Sequence, residues 1–483
     1  MSPESPKSIL ISLANPIFSM GVNTLSSVLK NRQYGVSTIY FVPRIKMFQT
    51  FESYSKQDYK ALVDKCIELN ADIVGISVYS GFLQSAVRIT EELRRTKKFF
   101  IIWGGIHPTI DPESSIKYAD IICRGEGEEA ILDLVKAIQG NKPIENIDNL
   151  WIKRNEMVFK NPVKLKEDLD EIPFPDISNN DKYILNKGRI IPLHRKYSFY
   201  SIMTSRGCFF SCSYCSNHEI KNVYDNYRVR RRSVDNVMEE ISFVLRDNPN
   251  IRRLYFNDDV FTFDTGWIKE FARKYKEKIG LPFFCYTHPK LVKEELIKGI
   301  KDAGCNLISM GIQGSSARMR EVFNRKTSGE ELIKACQIIT KYKFDEFYLD
   351  IIFSPFDTRQ DRQEGLELLL KLPKPFYVAM HNLTFFPKAR ITEVALAKGL
   401  ISEKDIVSNL SNPPHQLGNY SDIVFTPEGK WWCLYALCGK KFIPNRFIRI
   451  SKVIPGMPFV NFLLYKIFEK IQLMFNKRNV FTR

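Results

Sequence analysis

Short apolar runs alternate with segments of helical spacing over the first 140 residues of the chain. The runs are rich in β-branched residues, which is typical of strands buried on both faces of a sheet. Between them, apolar residues recur at helical spacing, as at Leu62, Cys66 and Leu69 of a helix predicted over residues 58–69. The predicted strands cover residues 8–13, 36–42, 73–79, 99–103 and 120–123. This alternation predicts a doubly wound, flavodoxin-like parallel sheet over residues 1–140.

A second series of strand and helix patterns occupies residues 197–400. The strands are predicted over residues 199–204, 253–257, 282–287, 306–312, 347–353 and 377–383. The helices predicted between them include residues 234–245, 265–276, 294–303 and 361–370. Six strand–helix units are fewer than the eight of a closed barrel. The fold class predicted is therefore α/β, with the first sheet followed by a partial (β/α)6 barrel.

Two segments lack this alternation. Residues 141–196 contain the proline-rich stretch 172–176 and are predicted to be a linker with some short strands. Residues 401–483 are predicted to be a mostly helical, basic and aromatic extension, within which residues 459–475 have the spacing of a basic amphipathic helix. Such a helix either packs on the barrel or lies on an acidic membrane surface, and both alternatives remain open.

The composition narrows the class of protein. Hydrophobic residues make up 44% and charged residues 26%, which is typical of a folded chain rather than a disordered one. The net charge of +17 indicates either an anionic partner or a basic surface without a specific partner. The N-terminal residues lack a secretory-signal pattern, and no apolar run is long enough to span a membrane. We therefore expect a reducing, cytoplasmic location, where ten cysteines are metal ligands or buried thiols rather than disulfides.

Three cysteines form the main chemical signal. Cys208, Cys212 and Cys215 lie within eight residues, just after a predicted strand. Thiolates at such short spacing suit an iron–sulfur cluster, or a zinc ion if His218 is the fourth ligand. A cluster held by three thiolates would keep one iron open to a cofactor or substrate.

The spacing Cys-x3-Cys-x2-Cys, with Tyr214 before the last cysteine, resembles the motif of the radical S-adenosylmethionine (SAM) superfamily. The resemblance implies a 4Fe–4S cluster, SAM bound at its open iron, and a flavodoxin- or ferredoxin-like electron donor. Segments after later strands also resemble this family, although Ser354 and Phe356 stand where glycines are common. The SAM contacts that the resemblance implies are Tyr214, Asp258, Asp259, Gln313 and Ser315. Helix capping by the aspartates and a glycine-requiring turn at residues 311–315 are the structural alternatives.

Glycine-containing loops follow the fourth and fifth predicted strands of the first domain. Their order ahead of the cysteine motif resembles the cobalamin-binding domain of cobalamin-dependent radical SAM enzymes. The cobalamin contacts implied are Asn15, Ser77, Gly104, Gly105, Gly125, Glu126 and Gly127. Residues 14–21 contain no histidine, so the resemblance implies a cobalt without a protein histidine ligand. We interpret His107 as structural, and helix capping is the alternative role for Glu126 and Glu128.

The leading hypothesis is methylation of an unactivated carbon of a small or lipid-like molecule, with cobalamin as the methyl carrier. Ring-forming or oxidative radical chemistry with cobalamin is the alternative within the same family. A tRNA methylthiotransferase would need more cysteines in the first domain than Cys66 and Cys123, which argues against a nucleic-acid partner. A corrinoid or iron–sulfur carrier is the non-enzymatic alternative, and it would not need six strand–helix units. No catalytic residue is named by the sequence, and Cys285, Cys305 and Cys336 are predicted to be core thiols.

Overall fold

The computed structural model describes residues 6–42, 54–96, 99–406 and 429–451. The chain divides into two compact units. The first comprises residues 1–46, 51–259 and 384–414, and the second comprises residues 47–50, 260–383 and 415–483. The amphipathic helix predicted over residues 459–475 lies outside the described residues.

Within the described part of the first unit, nine strands form one sheet. The strands are β1 (Ser8–Ser12), β2 (Val36–Tyr40), β3 (Ile73–Ser77), β4 (Phe100–Gly104), β5 (Ile121–Cys123), β6 (Leu150–Arg154), β7 (Met157–Lys160), β8 (Lys182–Asn186) and β9 (Arg189–Pro192). Strands β2, β1, β3, β4 and β5 are neighbours in that order and run parallel. This order is that of flavodoxin-like sheets, as the sequence predicts, and the strand order reverses between β1 and β3.

Helices cover both faces of these five strands. They are α1 (Met20–Lys30), α2 (Lys56–Glu68), α3 (Leu83–Arg94), α4 (Ile106–Ile110), α5 (Pro112–Ser115) and α6 (Glu128–Gln139). One apolar core contains Ile9 and Ile11, whereas a second core contains Leu10. Because successive side chains of a strand point to opposite faces, β1 contributes to both cores. This two-sided burial explains why the strands appear in the sequence as continuous apolar runs.

Two hairpins extend the sheet where the sequence predicts a linker. Strand β6 pairs antiparallel with β5 and β7, whereas β8 pairs parallel with β2 and antiparallel with β9. The side chains of Trp151 and Ile152 are buried, which favours docking of β6 on the sheet. Left-handed residues form the two turns, Asn155 with φ 51° in one and Lys187 with φ 51° in the other. Such turns favour tight hairpins. The four strands of these hairpins lie within segment 141–196 and belong to the sheet.

The first unit continues with a parallel pair, β10 (Phe199–Ile202) and β13 (Arg253–Phe256), and an antiparallel pair, β11 (Ser205–Arg206) and β12 (Arg230–Arg231). Its remaining described helices are α7 (Ser216–Val223), α8 (Val234–Asp247) and α14 (Arg390–Ala397). Strands β10 and β13 are the first two strands predicted for the barrel.

The second unit contains the other four predicted barrel strands, paired in chain order and parallel. These are β14 (Phe283–Thr287), β15 (Cys305–Gln313), β16 (Glu346–Phe353) and β17 (Tyr377–Asn382). The helices of this unit within the described residues are α9 (Thr265–Lys278), α10 (Glu294–Ala303), α11 (Ala317–Val322), α12 (Gly329–Lys341), α13 (Arg359–Lys371), α15 (Gly429–Cys438) and α16 (Asn445–Ser451). The ring of Phe353 packs on Trp432 and Tyr435 of α15. Helices therefore cover the face of β16 that carries Phe353.

The three thiols that the sequence predicts to lie in a core belong to the second unit and are buried. Cys285 and Cys305 lie with their sulfur atoms 3.8 Å apart, and Cys336 is inside α12. These positions confirm the prediction of core thiols. Across the described residues, the structure contains no helix with both the length and the apolar character that a membrane span requires.

Candidate functional site

The cysteine loop, defined as residues 207–215, lies directly before helix α7. Gly207 begins it with φ 99°, a left-handed backbone conformation that favours glycine. Cys215 ends it at the N-cap position of α7. Cys212 is buried, whereas Cys208 and Cys215 are half-buried. The short stretch between strand and helix thus carries all three thiols of the motif.

Asp258 anchors the chain just before the cysteine loop. Its carboxylate is completely buried and accepts hydrogen bonds from the N–H of Thr204 at 3.0 Å, from the Thr204 hydroxyl at 2.8 Å and from the Ser205 hydroxyl. Burial raises the pKa of Asp258, although Arg231 and these hydrogen bonds oppose the rise. The sequence predicts a SAM contact for Asp258, but its Oδ1 atom is engaged within the protein. The structure therefore gives this residue a positioning role.

Two side chains that follow the motif contact the cysteine loop. The hydroxyl of Tyr227 accepts a hydrogen bond from the Cys208 N–H at 2.7 Å and donates one to the Cys208 carbonyl at 3.2 Å. The ammonium group of Lys221, on α7, donates to the carbonyl of Phe210 at 2.7 Å. These contacts hold the backbone of the loop at two points, so the loop is ordered by residues outside it.

The three thiols lie within electrostatic reach of one another. Burial is the main cause that raises the pKa of Cys215 to about 12, and Asp259, Cys212 and Cys208 add to the rise. Burial also raises the pKa of Cys208, although Lys221 opposes this. Thiols with raised pKa values stay protonated at neutral pH unless a metal stabilises their thiolate form. Metal binding at this loop would therefore have to release the thiol protons.

A single metal ion would need several of these donors to converge on one point. Among residues 6–42, 54–96, 99–406 and 429–451, no three His, Cys, Asp or Glu side chains converge as one metal ion requires. Each cysteine of an iron–sulfur cluster binds a different iron, so the three sulfur atoms need not share one ion. The chemistry of three thiols on one short loop fits a cluster, and no single-ion site that includes His218 occurs among the described residues.

Asp259 differs from its neighbour Asp258 because it lines a cavity. Its side chain is open to that cavity but is surrounded by protein atoms, so burial raises its pKa. A hydrogen bond with Asn217 opposes the rise, and the Asp259 charge in turn raises the pKa values of Cys208 and Cys215. Of the two aspartates, Asp259 is therefore the one that can contact a bound molecule beside the cysteines.

The cavity has a volume of about 470 Å³ and lies within the first unit. One side consists of residues at the carboxyl ends of strands β1, β3 and β4, including Ser12, Ser77 and Gly104. The other side consists of residues around the cysteine loop, including Arg206 and Asp259. Doubly wound sheets bind ligands at this carboxyl edge, where the strand order reverses. The position and size fit an organic cofactor that reaches from the sheet toward the thiols.

Glycines shape the sheet side of the cavity. A Cβ on Gly104 would meet only the Cβ of Cys123, at 3.8 Å, and a Cβ on Gly21 would meet no atom within 4 Å. Side chains at these two lining positions would therefore extend into the open volume. Gly105 has φ 99° and Gly125 has φ 77°, which favour glycine for conformational reasons. Because Gly21 and Gly104 have no side chains, this side of the cavity leaves room for a bulky group such as a corrin ring.

Glu126, a predicted cobalamin contact, is the centre of an ion-pair network at the cavity wall. Its carboxylate accepts two hydrogen bonds from Arg230, at 2.6 and 2.9 Å, and pairs with Arg206 at 3.2 Å. Arg206 also pairs with Glu128 at 2.5 Å. Burial alone would raise the pKa of Glu126, but the hydrogen bond from Arg230 and the charges of both arginines outweigh it and lower the pKa. The network joins the loop after β5 to the β11–β12 pair.

The other predicted contacts are placed as follows. Asn15 is not among the residues that line the cavity. Its Oδ1 accepts a hydrogen bond from Arg195 at 2.9 Å. Tyr214 is half-buried beside Cys215. Gln313 ends β15 with φ 58° and is half-buried, whereas Ser315 is buried and its hydroxyl accepts a hydrogen bond from Tyr435 at 3.2 Å. Gln313 and Ser315 belong to the second unit.

His107 and His288, which we interpret as structural, are both buried. The Nδ1 atom of His107 lies 3.0 Å from the Ser80 hydroxyl, and that of His288 accepts a hydrogen bond from the Lys290 N–H at 3.2 Å. Burial lowers the pKa of both imidazoles, that of His288 to about 2. Both residues therefore stay neutral and stabilise local structure.

Sequence reasoning missed a polar cluster on the neighbouring strands β15, β16 and β17, with Ser309 and Asp350 near the middle of their strands and His381 near the end of β17. The Ser309 hydroxyl donates to Asp350 at 2.5 Å, and the Nε2 atom of His381 lies 3.6 Å from the same carboxylate. The hydrogen bond and the close histidine thus link side chains of three neighbouring parallel strands. The signal was the alternation of residues 346–353, in which polar and apolar side chains take opposite faces.

Comparison with known proteins adds family matches to this geometry. The model of the B12 binding domain matches residues 6–135, and the model of the Radical SAM superfamily matches residues 202–369. An uncharacterized methyltransferase of Pyrococcus horikoshii is 28% identical over 342 residues, which cover 69% of this chain and 71% of that protein.

Two solved structures share the fold. The methyltransferase TsrM from Kitasatospora setae, with tryptophan substrate and a SAM analogue bound, has a TM-score of 0.63 and 15% identity over 82% of this chain and 76% of its own. The cobalamin-dependent enzyme OxsB, with aqua-cobalamin and SAM bound, has a TM-score of 0.61 and 19% identity over 84% of this chain and 56% of its own. The B12 binding domain precedes the Radical SAM domain along the chain, as the glycine-containing loops precede the cysteine motif in the sequence. This chain belongs to the cobalamin-dependent radical SAM enzymes, which use a 4Fe–4S cluster, SAM and cobalamin.

Proposed function

We propose that this enzyme methylates an unactivated carbon of a small organic molecule. The observation that carries the proposal is the cavity, because the glycine loops of the flavodoxin-like sheet and Asp259 beside the cysteine loop line the same volume. When bound, the cluster and SAM supply a 5′-deoxyadenosyl radical that removes a hydrogen atom, and cobalamin supplies the methyl group. A shared cavity brings these reactions within reach of one substrate.

The residues of the first unit have distinct parts in this proposal. Cys208, Cys212 and Cys215 each ligate one iron and keep the fourth iron open. Asp259 accepts a hydrogen bond from the ammonium group of SAM, since it is the carboxylate that faces the cavity near the thiols. The apolar part of the cavity wall, which includes Leu10, Ile76 and Ile102, excludes water that would otherwise quench a radical.

The proposal extends to the class of substrate and of electron donor. TsrM in its solved structure holds tryptophan, which favours a small molecule over a macromolecule as the substrate here. A lipid-like substrate would depend on the basic segment 459–475. The net charge of +17 favours an acidic flavodoxin- or ferredoxin-like protein as the donor of single electrons.

The test uses protein purified and reconstituted without oxygen, supplied with cobalamin, a low-potential reductant and SAM carrying a deuterated methyl group. A cell extract provides candidate substrates, and mass spectrometry follows the label. The proposal predicts 5′-deoxyadenosine together with a product that carries the deuterated methyl group. Cys212→Ala abolishes both, whereas Cys66→Ala, which changes a buried thiol in the core of the first sheet, retains them.

Two other outcomes would contradict methyl transfer. A ring-closed or oxidised product without the label would favour the alternative radical chemistry of the same family. Cobalamin and cluster retained at full occupancy, without any 5′-deoxyadenosine, would favour a carrier.

A further inference from the structure

We infer that Tyr227 is a positioning residue that sets the reduction potential of the cluster through the backbone of Cys208. The inference rests on the proposed ligation of the cluster by the cysteine loop. Tyr227 lies outside the motif and is half-buried, with the ammonium group of Lys221 5.7 Å from the centre of its ring. Tyr227 is thus within the matched Radical SAM domain but twelve residues beyond the last cysteine of the motif.

One hydroxyl engages both backbone polar groups of the first cysteine. The Cys208 N–H donates to the Tyr227 hydroxyl over 2.7 Å, and the hydroxyl donates to the Cys208 carbonyl over 3.2 Å. The first distance is that of a short N–H···O hydrogen bond, and the second is that of a longer, weaker O–H···O hydrogen bond. A rotation of the Cys208 backbone would break one or both of these bonds, so Tyr227 fixes the direction in which the first thiol points.

The residue before Cys208 shows how closely the tyrosine approaches the loop. A Cβ on Gly207 would stand 2.6 Å from the hydroxyl oxygen of Tyr227, which is closer than a carbon atom is found to approach. Gly207 also has φ 99°. The loop therefore needs glycine at this position both for its backbone conformation and for the approach of the phenol.

The effect on the reduction potential follows from the Cys208 N–H group, which donates its hydrogen bond to Tyr227. Hydrogen bonds to the sulfur atoms of a cluster stabilise its reduced, more negative form and so raise the reduction potential. Backbone N–H groups beside cysteine ligands are natural donors for such bonds. The backbone of Phe210 hydrogen-bonds the Cys208 sulfur and that of Asn217 the Cys215 sulfur. The Cys208 N–H donates to Tyr227 instead and is not available as a further donor to sulfur, so the potential stays lower than it would be without Tyr227. A low potential suits a cluster that must pass an electron to SAM.

The test is a potentiometric titration of the reconstituted full-length protein, followed by the electron paramagnetic resonance signal of the reduced cluster. Tyr227→Phe removes one oxygen atom and keeps the ring. The expected result is a midpoint potential more positive than that of the wild type, with an altered signal. Loss of iron to a chelator should also become faster by about fivefold, the factor that corresponds to one hydrogen bond of about 1 kcal/mol.

Tyr224→Phe is the matched control. Tyr224 is the neighbouring tyrosine, with ring centres 6.5 Å apart, and its hydroxyl lies against Gly125 rather than the cysteine loop. The potential of this variant should equal that of the wild type. A purely structural role for Tyr227 would change iron loss and unfolding temperature but leave the potential unchanged, and that result would overturn the inference. An equal shift in Tyr224→Phe would overturn it as well.

A second variant covers the case in which Tyr227→Phe does not fold. A 3-fluorotyrosine at position 227 retains the ring and hydroxyl but is a weaker acceptor, so the potential should again rise, by less. No shift there would also overturn the inference. If the wild-type protein takes up no cluster, the proposed function fails; if it does and Tyr227 has no effect on the potential, only this inference fails.

Discussion

The carboxylate of Glu126 and the guanidinium of Arg230 form a two-point ion pair, with nitrogen–oxygen distances of 2.6 and 2.9 Å. Glu126 follows strand β5 of the flavodoxin-like sheet, and Arg230 lies on β12, which pairs with the strand just before the cysteine loop. The N–H of Lys166 donates to the same carboxylate at 2.8 Å. The pair therefore connects the two halves of the cavity wall.

Glu126→Gln should lower the free energy of unfolding by about 2 kcal/mol at neutral pH, because two arginines then lack their shared carboxylate. The pKa of Glu126 in the folded protein lies below its usual value. Its stabilising contribution is thus complete above roughly pH 4.3, the unfolded value, and is lost as the pH falls through the lowered folded value. Urea unfolding of both proteins at pH 7 and near pH 3 measures this. A difference that stayed constant or grew at low pH would contradict the assignment.

Gly125→Ala should lower the free energy of unfolding by about 3 kcal/mol. The added Cβ would lie 2.2 Å from the hydroxyl oxygen of Tyr224, and φ is 77°. Left-handed backbone strain costs about 1–2 kcal/mol, and the steric conflict adds to it. In a Tyr224→Leu background the cost should decrease toward the strain alone, with only the contact to Val163 at 3.0 Å added to it. Thermal or urea unfolding of the four proteins of this double-mutant cycle checks the prediction, and an unchanged cost in that background would disprove the contact.

The two adjacent aspartates should respond differently to substitution. Asp258→Ala removes the acceptor of three hydrogen bonds at the strand end and should destabilise the protein by about 3 kcal/mol. Asp259→Asn should leave the unfolding free energy within about 0.5 kcal/mol, because its side chain faces the cavity, but should weaken SAM binding about tenfold. Urea unfolding and equilibrium binding of SAM to the reconstituted protein measure the two effects. Reversed effects would show that the assignment of the pair is wrong.

Gly104→Val should reduce cobalamin affinity by about tenfold or more, since overpacking of a fitted volume costs about 1–3 kcal/mol. The strand itself should tolerate the change, because the nearest atom to an added Cβ is 3.8 Å away. Gly35→Val is the control, because Gly35 is exposed and not part of this cavity. Equilibrium dialysis with hydroxocobalamin gives the affinities. Equal affinities of the two variants would place cobalamin elsewhere.

Local patterns were sufficient for the order of elements and for the cysteine motif. Strand β1 is buried on both faces, so its apolar run is visible in the sequence without knowledge of its partners. The hairpins β6–β7 and β8–β9 were less visible, because their strands are only four or five residues long and no helix separates them, and Trp151 and Ile152 were not interpreted as docking positions.

Contacts between distant residues could not be predicted. Asp258 and Asp259 are adjacent and chemically identical in the sequence. The path of the backbone after strand β13 decides which of the two faces the cavity. The bond between Tyr227 and Cys208 depends on the path of the chain through α7, for which no periodic signal exists. Asn15 was expected at the cavity because it follows a strand, but Arg195 engages its side chain.

The central claim is that one chain holds the cluster at Cys208, Cys212 and Cys215 and cobalamin at the glycine loops of the same cavity. The most direct measurement is the content of iron, sulfide and cobalt in protein reconstituted without oxygen, with Cys212→Ala and Gly104→Val beside the wild type. The account predicts about four irons, four sulfides and one cobalt per wild-type chain. Iron and sulfide should be lost selectively in Cys212→Ala, and cobalt selectively in Gly104→Val. A wild-type protein that retains iron but no cobalt, or a Cys212→Ala protein with an intact cluster, would contradict it.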